Sequence, residues 1–244
     1  MQKIAYQEMY ENEMSHAWYY GTRKLLIDTL EKYIARDSKI LDAGCGTGGT
    51  ILYLKKAGFN NLSGIDISKE AIGFCKKRKL NKIKLASVNK IPYPDEYFNA
   101  VLCMDVLYHQ GVDSQKALEE FYRVLKKGGT LYVQEPAFNL LKSSHDEVIQ
   151  TKQRFTRPLL LKLLESAGFT IVKKSYFNMI FFSPIVIKRL FDKFTSFDKP
   201  GSDLHPLHPV LNSILLMSLL IEVKLFKFIN LPFGLSLVFV CKKD

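Results

Sequence analysis

The chain has 244 residues, of which 47% are hydrophobic and 24% charged, and its formal net charge is +11. This is the balance of an ordinary soluble globular protein, long enough for one large domain or one domain with an elaborate insertion. Cys45, Cys75, Cys103 and Cys241 stand singly, which excludes a Cys/His zinc cluster and a disulfide framework and leads us to expect a reducing, cytoplasmic setting.

The amino-terminal MQKIAYQEMY lacks the apolar core of a signal peptide. Residues 1–35 are rich in aromatics (Tyr6, Tyr10, Trp18, Tyr19, Tyr20, Tyr33) and are expected to form a helical cap. A short apolar run at 39–43 reads as the first strand, and a helix follows over 47–57 with Gly58 as its stop. Residues 61–66 form the next predicted strand and 69–79 the next helix, with Ala71, Ile72 and Cys75 at helical spacing.

That helix closes on Lys76-Lys77-Arg78-Lys79, followed by Lys82 and Lys84, where much of the positive charge is concentrated. Cations favour the negative end of a helix dipole, so a solvated helix end explains the cluster more simply than a nucleic-acid face. A pull toward anionic partners or membrane surfaces stays open.

Strands are predicted at 83–86 and 99–104, separated by the turn-forming IPYPDEY. Ala117, Leu118, Phe121, Val124 and Leu125 mark an amphipathic helix ended by Lys126-Lys127-Gly128-Gly129. A strand at 130–134, a helix at 158–167, a strand at 169–177 and a final strand at 235–241 complete the series. Alternation of this kind predicts a doubly wound α/β domain with a mostly parallel sheet. We read 1–244 as a single domain: a helical cap (1–35), a core (36–177), a helical insertion (178–233) and the last strand (234–244).

The stretch Ile40-Leu41-Asp42-Ala43-Gly44-Cys45-Gly46-Thr47-Gly48-Gly49 fits G-x-G-x-x-G and G-x-G-x-G equally well. Glycines between strand and helix let backbone approach a ligand closely. Asp42, immediately before them, opposes a pyrophosphate and favours a cationic ligand. S-adenosylmethionine carries a sulfonium and an ammonium and no phosphate. Asp66 closes the second strand, where a carboxylate accepts from ribose hydroxyls; its plainer role is a helix cap, which Ser68 fills better.

LDAGCGTG and GIDIS resemble the first two motifs of the class I S-adenosylmethionine-dependent methyltransferases. The runs VNKIPYPDEYFNAVLCMDVLYH, RVLKKGGTLYVQEP and LLESAGFTIVKKSYF are similar to its later blocks, in order, over residues 39–177. The resemblance implies a seven-stranded Rossmann-like sheet whose last strand is antiparallel. It places Asp42, Gly44, Cys45 and Gly46 near the methionine end of the donor, Asp66 on the ribose and Ile67 against the adenine. Ser87, Val88 and Met104 complete that set. The family often has Asp where Ser87-Val88-Asn89 stands here; a hydroxyl or amide still accepts a hydrogen bond, without charge assistance.

Methyl transfer needs the acceptor held in line behind the methyl carbon, and a base only where the acceptor must lose a proton. No [D/N]-P-P-[Y/F] follows the fourth strand and no Pro-Cys pair exists, which counts against amino methylation of bases and attack at pyrimidine C5. His109, just beyond the fourth strand, is a candidate base or donor, and Tyr19 and Tyr20 are candidates to cover donor or acceptor. Arg154 is a candidate for an anionic acceptor group; Tyr176, Asn178 and His205 follow behind. The apolar insertion reads as a lid packed on the sheet, as a pocket or membrane-surface patch for an apolar acceptor, or as a dimer interface. Its longest uncharged stretch, residues 210–221, falls short of the ~20 residues of a bilayer span. The expected function is methylation of a small molecule of apolar character, such as a quinone precursor, lipid, sugar or natural product. An RNA or protein methyltransferase and a non-catalytic donor-binding protein are the rivals, and a dehydrogenase is a more distant one.

Overall fold

The computed structural model describes residues 3–195 and 206–244. Helices α1 (Lys3–Asn12) and α2 (Ala17–Tyr33) precede the sheet. There follow β1 (Ile40–Ala43), α3 (Gly49–Lys56), β2 (Leu62–Asp66), α4 (Lys69–Lys77), β3 (Ile83–Leu85), β4 (Phe98–Met104), α5 (Ser114–Val124) and β5 (Leu125–Pro136). The second half holds α6 (Ser144–Val148), α7 (Arg157–Ser166), β6 (Thr170–Phe177), α8 (Phe182–Thr195), α9 (Pro209–Phe226) and β7 (Ser236–Lys242).

The seven strands lie in the order β3-β2-β1-β4-β5-β7-β6. All run parallel except β7, which is inserted antiparallel between β5 and β6. The order reverses between β1 and β4, so the crevice of the switch point opens beyond Ala43 and Met104.

The central strands feed two cores. Leu41, Ala43, Ile65, Val101, Cys103, Leu131 and Val133 face α5 and α7, through Leu118, Phe121, Leu160 and Leu164. Their alternates, Ile40, Leu62, Ala100, Leu102, Tyr132, Val238 and Val240, face α2, α3 and α9 through Leu26, Leu30, Leu54, Leu219 and Val223. Burial on both faces is why these strands read as continuous apolar runs.

Most boundaries differ from the expectation by one or two residues, and that of β5 by five. Strand β5 begins at Leu125, not at Thr130, and the Lys-Lys-Gly-Gly run lies inside it. Leu125 pairs with Phe98, the register then shifts, and Thr130 pairs with Ala100. Gly128 takes the left-handed conformation (φ 71°) within this bulge, and its N–H donates to the Lys243 carbonyl at 2.7 Å.

In the insertion, α9 lies along α2. The Ala17 N–H donates to Asn212 Oδ1 at 2.8 Å, and Leu219, Val223 and Phe226 are buried. Glu222 is buried too, and its carboxylate accepts from the N–H groups of Met179 and Ile180, both at 2.9 Å. Burial raises its pKa against the pull of those bonds. The carboxylate therefore ties α9 to the turn leaving β6. Glu222→Leu, which orphans two backbone donors, should cost about 3 kcal/mol in urea unfolding. A loss below about 1 kcal/mol would contradict this role.

Candidate active site

The chain leaves β1 through a turn with three left-handed glycines, Gly44 (φ 85°), Gly46 (φ 52°) and Gly48 (φ 84°). At Gly44 any Cβ would also run into Val106. The turn brings its N–H groups round toward β2. Gly46 N–H donates to Asp66 Oδ2 at 2.9 Å, and Ser68 N–H donates to Asp66 Oδ1 at 2.9 Å. Ser68 itself caps α4, accepting from Ala71 N–H. A carboxylate can accept about four hydrogen bonds, so Asp66 retains acceptor capacity beyond its backbone donors.

Gly49 serves a different purpose. A Cβ there would collide with Glu13 and Arg23, the centre of a buried ionic cluster. The Glu13 carboxylate, just beyond α1, is bound by Arg23 of α2, Arg78 at the end of α4 and the Thr47 hydroxyl. Arg23 also donates to the Glu13 carbonyl at 2.6 Å, and Arg78 to the carbonyls of Tyr10 (3.1 Å) and Thr47 (3.2 Å). These bonds draw α1 over the crevice. A Cβ at Gly46 would stand 3.2 Å from Met9 Sδ, and Tyr6 is buried close enough to Asp66 for the carboxylate to raise its pKa.

Arg78 is thus turned inward, and Lys77 lies over the rings of Phe74 (4.7 Å) and Tyr10 (5.9 Å). Two of the four consecutive cations that suggested a basic surface are engaged within the protein.

Asp42 is the most telling group. It is 4% exposed, its Oδ2 has no hydrogen-bond partner among the described residues, and desolvation lifts its pKa to about 7 despite the nearby Arg23. A buried carboxylate with a free oxygen beneath a glycine turn repels phosphate and suits a cation. Against NAD this decides the ambiguity of the motif, and S-adenosylmethionine, with its ammonium and sulfonium, fits the residues present.

Of the other residues expected near the donor, Ile67 is 69% exposed beside Asp66, as a surface waiting for a flat apolar group would be. Val88 is buried, and the Ser87 hydroxyl accepts from Asn89 N–H at 3.1 Å. Asn89 is not free for an adenine: its side chain bridges to the backbone of Asp113 in both directions. Cys45 is a buried thiol whose pKa is raised, hydrogen bonding with Cys75 and burial both contributing, and Met104 packs partly buried on the α2 side of the sheet.

The candidates for the acceptor fare less evenly. Tyr20 does not reach the crevice: it is 40% exposed and meets Tyr53 of α3 edge-on at 5.5 Å. Its neighbour Tyr19, about 100° round the helix, is the one that lies among Glu13, Asp105 and Glu8. His109 stacks on Tyr108 (4.2 Å), and its Nδ1 is buried with no hydrogen-bond partner among the described residues; burial lowers its pKa to about 4, so it is neutral and a weak base at pH 7. Arg154 is committed to Asp146 in a two-pronged pair, both bonds 2.9 Å, so it is not available to an anionic acceptor without breaking that pair. Tyr176 is buried in a stack with Phe138 (5.5 Å), and Asn178 is buried with Oδ1 unpartnered. His205 lies outside the described residues.

Sequence reasoning missed Asp105. It follows β4 directly, adopts φ 55°, unusual for a non-glycine residue, and its carboxylate makes no hydrogen bond among the described residues. Desolvation lifts its pKa to about 7, with Arg154 opposing. Beneath it, Glu135 accepts from the N–H groups of Val106 (3.0 Å) and Leu107 (2.8 Å), holding the loop that presents Asp105; burial and Asp105 raise the Glu135 pKa to about 8. The available signal was a carboxylate directly beyond the strand at the switch point. Phe138, Tyr176, Phe182 and Phe233 form an aromatic cluster at the same carboxyl edge of β5 and β6.

Fold and site together make a crevice at the switch point of a doubly wound sheet, with carboxylates that suit a cationic, phosphate-free nucleoside. Residues 41–133 match the family model described as a methyltransferase domain. An uncharacterized protein of Methanocaldococcus jannaschii is 36% identical over 63% of this chain and 63% of its own length. The ubiquinone/menaquinone biosynthesis C-methyltransferase UbiE of Neisseria meningitidis is 37% identical over 42% of this chain and 44% of its own. The chain thus spans less than two thirds of the length of these curated relatives. A crystal structure of a SAM-dependent methyltransferase from Methanosarcina mazei shares the fold, with a TM-score of 0.59 at 19% identity over 88% of this chain and 96% of that one. Residues 41–133 thus carry a methyltransferase domain, set in the fold of the S-adenosylmethionine-dependent methyltransferases.

Asp42→Asn supplies a direct test of the buried carboxylate. A folded-state pKa raised to about 7 lends stability that is present in acid and lost as pH rises from about 4 to about 7. The amide has no such loss, so the melting temperature of the variant should gain on the parent across that window by roughly 10 °C. Parallel melting curves from pH 4 to pH 8 would show that Asp42 ionises normally.

Proposed function

We propose that the protein transfers the methyl group of S-adenosylmethionine to a small-molecule acceptor with apolar character. The observation that carries the donor side is the unpartnered Oδ2 of Asp42, buried under the glycine turn. S-adenosylmethionine supplies a methyl group on a positively charged sulfur, an electrophile that needs only a lone pair in line behind it.

The chain's own residues would divide the work as follows. Asp42 faces the cationic methionine end, Asp66 accepts the ribose hydroxyls, and Ile67 and Val88 offer apolar surface to the adenine. Helix α1, held by the Glu13 cluster, keeps water from the crevice. Asp105 takes the proton that the acceptor loses, and a pKa of about 7 suits a base working near neutrality. The aromatic cluster around Phe138 supports an apolar acceptor. The chemistry of quinone biosynthesis named for the Neisseria relative is of the same kind.

Calorimetry tests the donor assignment. Asp66→Ala should weaken S-adenosylmethionine binding by about tenfold to a hundredfold, and Asp66→Asn, which keeps an acceptor, by less. NADH should not compete. A radiolabelled methyl-transfer screen over small-molecule, lipid and RNA fractions then identifies the acceptor; labelling confined to RNA would replace this reading.

With the acceptor in hand, turnover should rise with pH through about 7, because Asp105 accepts a proton only when ionised. Asp105→Asn should lower kcat roughly a hundredfold and erase that limb while donor affinity is unchanged. The same pH profile in both proteins removes Asp105 from proton transfer.

A further inference from the structure

The insertion between β6 and β7 leaves an apolar stripe that nothing in the described fold covers. On α9, Val210, Ile214, Met217, Ile221 and Leu225 recur every three or four residues, and Phe228 continues the row just beyond the helix. All six are exposed, Met217 at 66% and Phe228 at 84%. The opposite side of the same helix is the one buried against α2, through Leu219, Val223 and Phe226. Helix α8 adds exposed Ile187 and Phe191 from the same insertion.

Among the described residues α9 is the one helix long and apolar enough to cross a membrane, with a mean hydropathy of 1.7 over its 18 residues. Spanning would tear away its packed side. Glu222 would lose the two backbone donors that hold it, and Asn212 its bond to α2. A helix with one side locked to the protein and the other bare is suited to lying flat on a surface.

Charge selects the surface. The stripe ends at exposed Lys224 and Lys227, the latter within 3.0 Å of Asp28, while the one carboxylate of α9, Glu222, is turned inside. A second copy of the chain would bring another +11 and the same lysines to a self-complementary contact, which electrostatics oppose. A negatively charged lipid face is attracted by the same groups. We infer that the exposed side of α9 docks the protein on an anionic lipid bilayer, the apolar stripe in the headgroup boundary and Lys224 over the phosphates. This surface is independent of the assignment of donor and acceptor.

Sedimentation with vesicles tests it. The full chain should pellet with phosphatidylcholine vesicles containing 30% phosphatidylglycerol at least about fivefold more than with phosphatidylcholine alone, and release in alkaline carbonate. Ile214→Glu with Ile221→Glu should lower the bound fraction roughly tenfold. Both substitutions point to solvent, and unchanged S-adenosylmethionine affinity would report an intact fold. Equal sedimentation of parent and variant overturns the proposal. So does retention through the carbonate wash, which means spanning, or light scattering that shows a dimer dissolved by the same substitutions.

Discussion

A carboxylate kept out of water beneath a tight turn governs the mouth of this sheet. Asp42 is almost wholly withdrawn from water, and no donor among the described residues reaches its Oδ2. Such a group costs stability until something positive arrives. The surrounding design follows from that cost. The turn needs three left-handed glycines to bring backbone this close, and the same turn delivers the Gly46 N–H to Asp66. The donor site is thus half satisfied from within and half prepared for a cation.

The N-terminal helix is bound to this arrangement by charge. Glu13 gathers a guanidinium from α2, another from α4 and the hydroxyl of Thr47 around one buried carboxylate. Removing Glu13 would leave two buried guanidinium groups without their carboxylate, a steep penalty compared with that of a surface ion pair. The cluster explains why Gly49 is a glycine although no ligand needs it to be, and it resolves the overlapping motifs. Gly44, Gly46 and Gly48 shape the turn, and Gly49 makes room for the clamp.

Local pattern carried much of the architecture. The runs around Ile40, Leu62, Phe98 and Val238 are apolar because both faces of those strands are covered, and Ser68 and Asp113 cap helices as their types suggest. Asp42 and Asp66 were legible as candidates for the donor because they sit at fixed distances from the glycines along one chain. Contacts made across the fold were not. Nothing near Glu13 announces that residues 34 and 65 positions away converge on it. Tyr19 and Tyr20 look alike in sequence, and only the orientation of α2 separates a residue in the crevice from one on the surface. Asp105 was passed over because its place directly beyond β4 and its left-handed backbone angle are not disclosed by its type. The lysines at 126 and 127 masked the start of β5, since a bulge lets polar residues occupy a strand without entering the core.

The place of β7 bears on how the molecule is made. That strand separates β5 from β6 and pairs with both along nearly its whole length. During synthesis β6 emerges with no neighbour to receive it, and it waits while some sixty further residues, 178–235, leave the ribosome. Its partly polar outer positions, Lys173 and Lys174 among them, suit a segment that must stay soluble through that interval. The nascent protein can close its first five strands early, but the sheet is completed only by a late threading event.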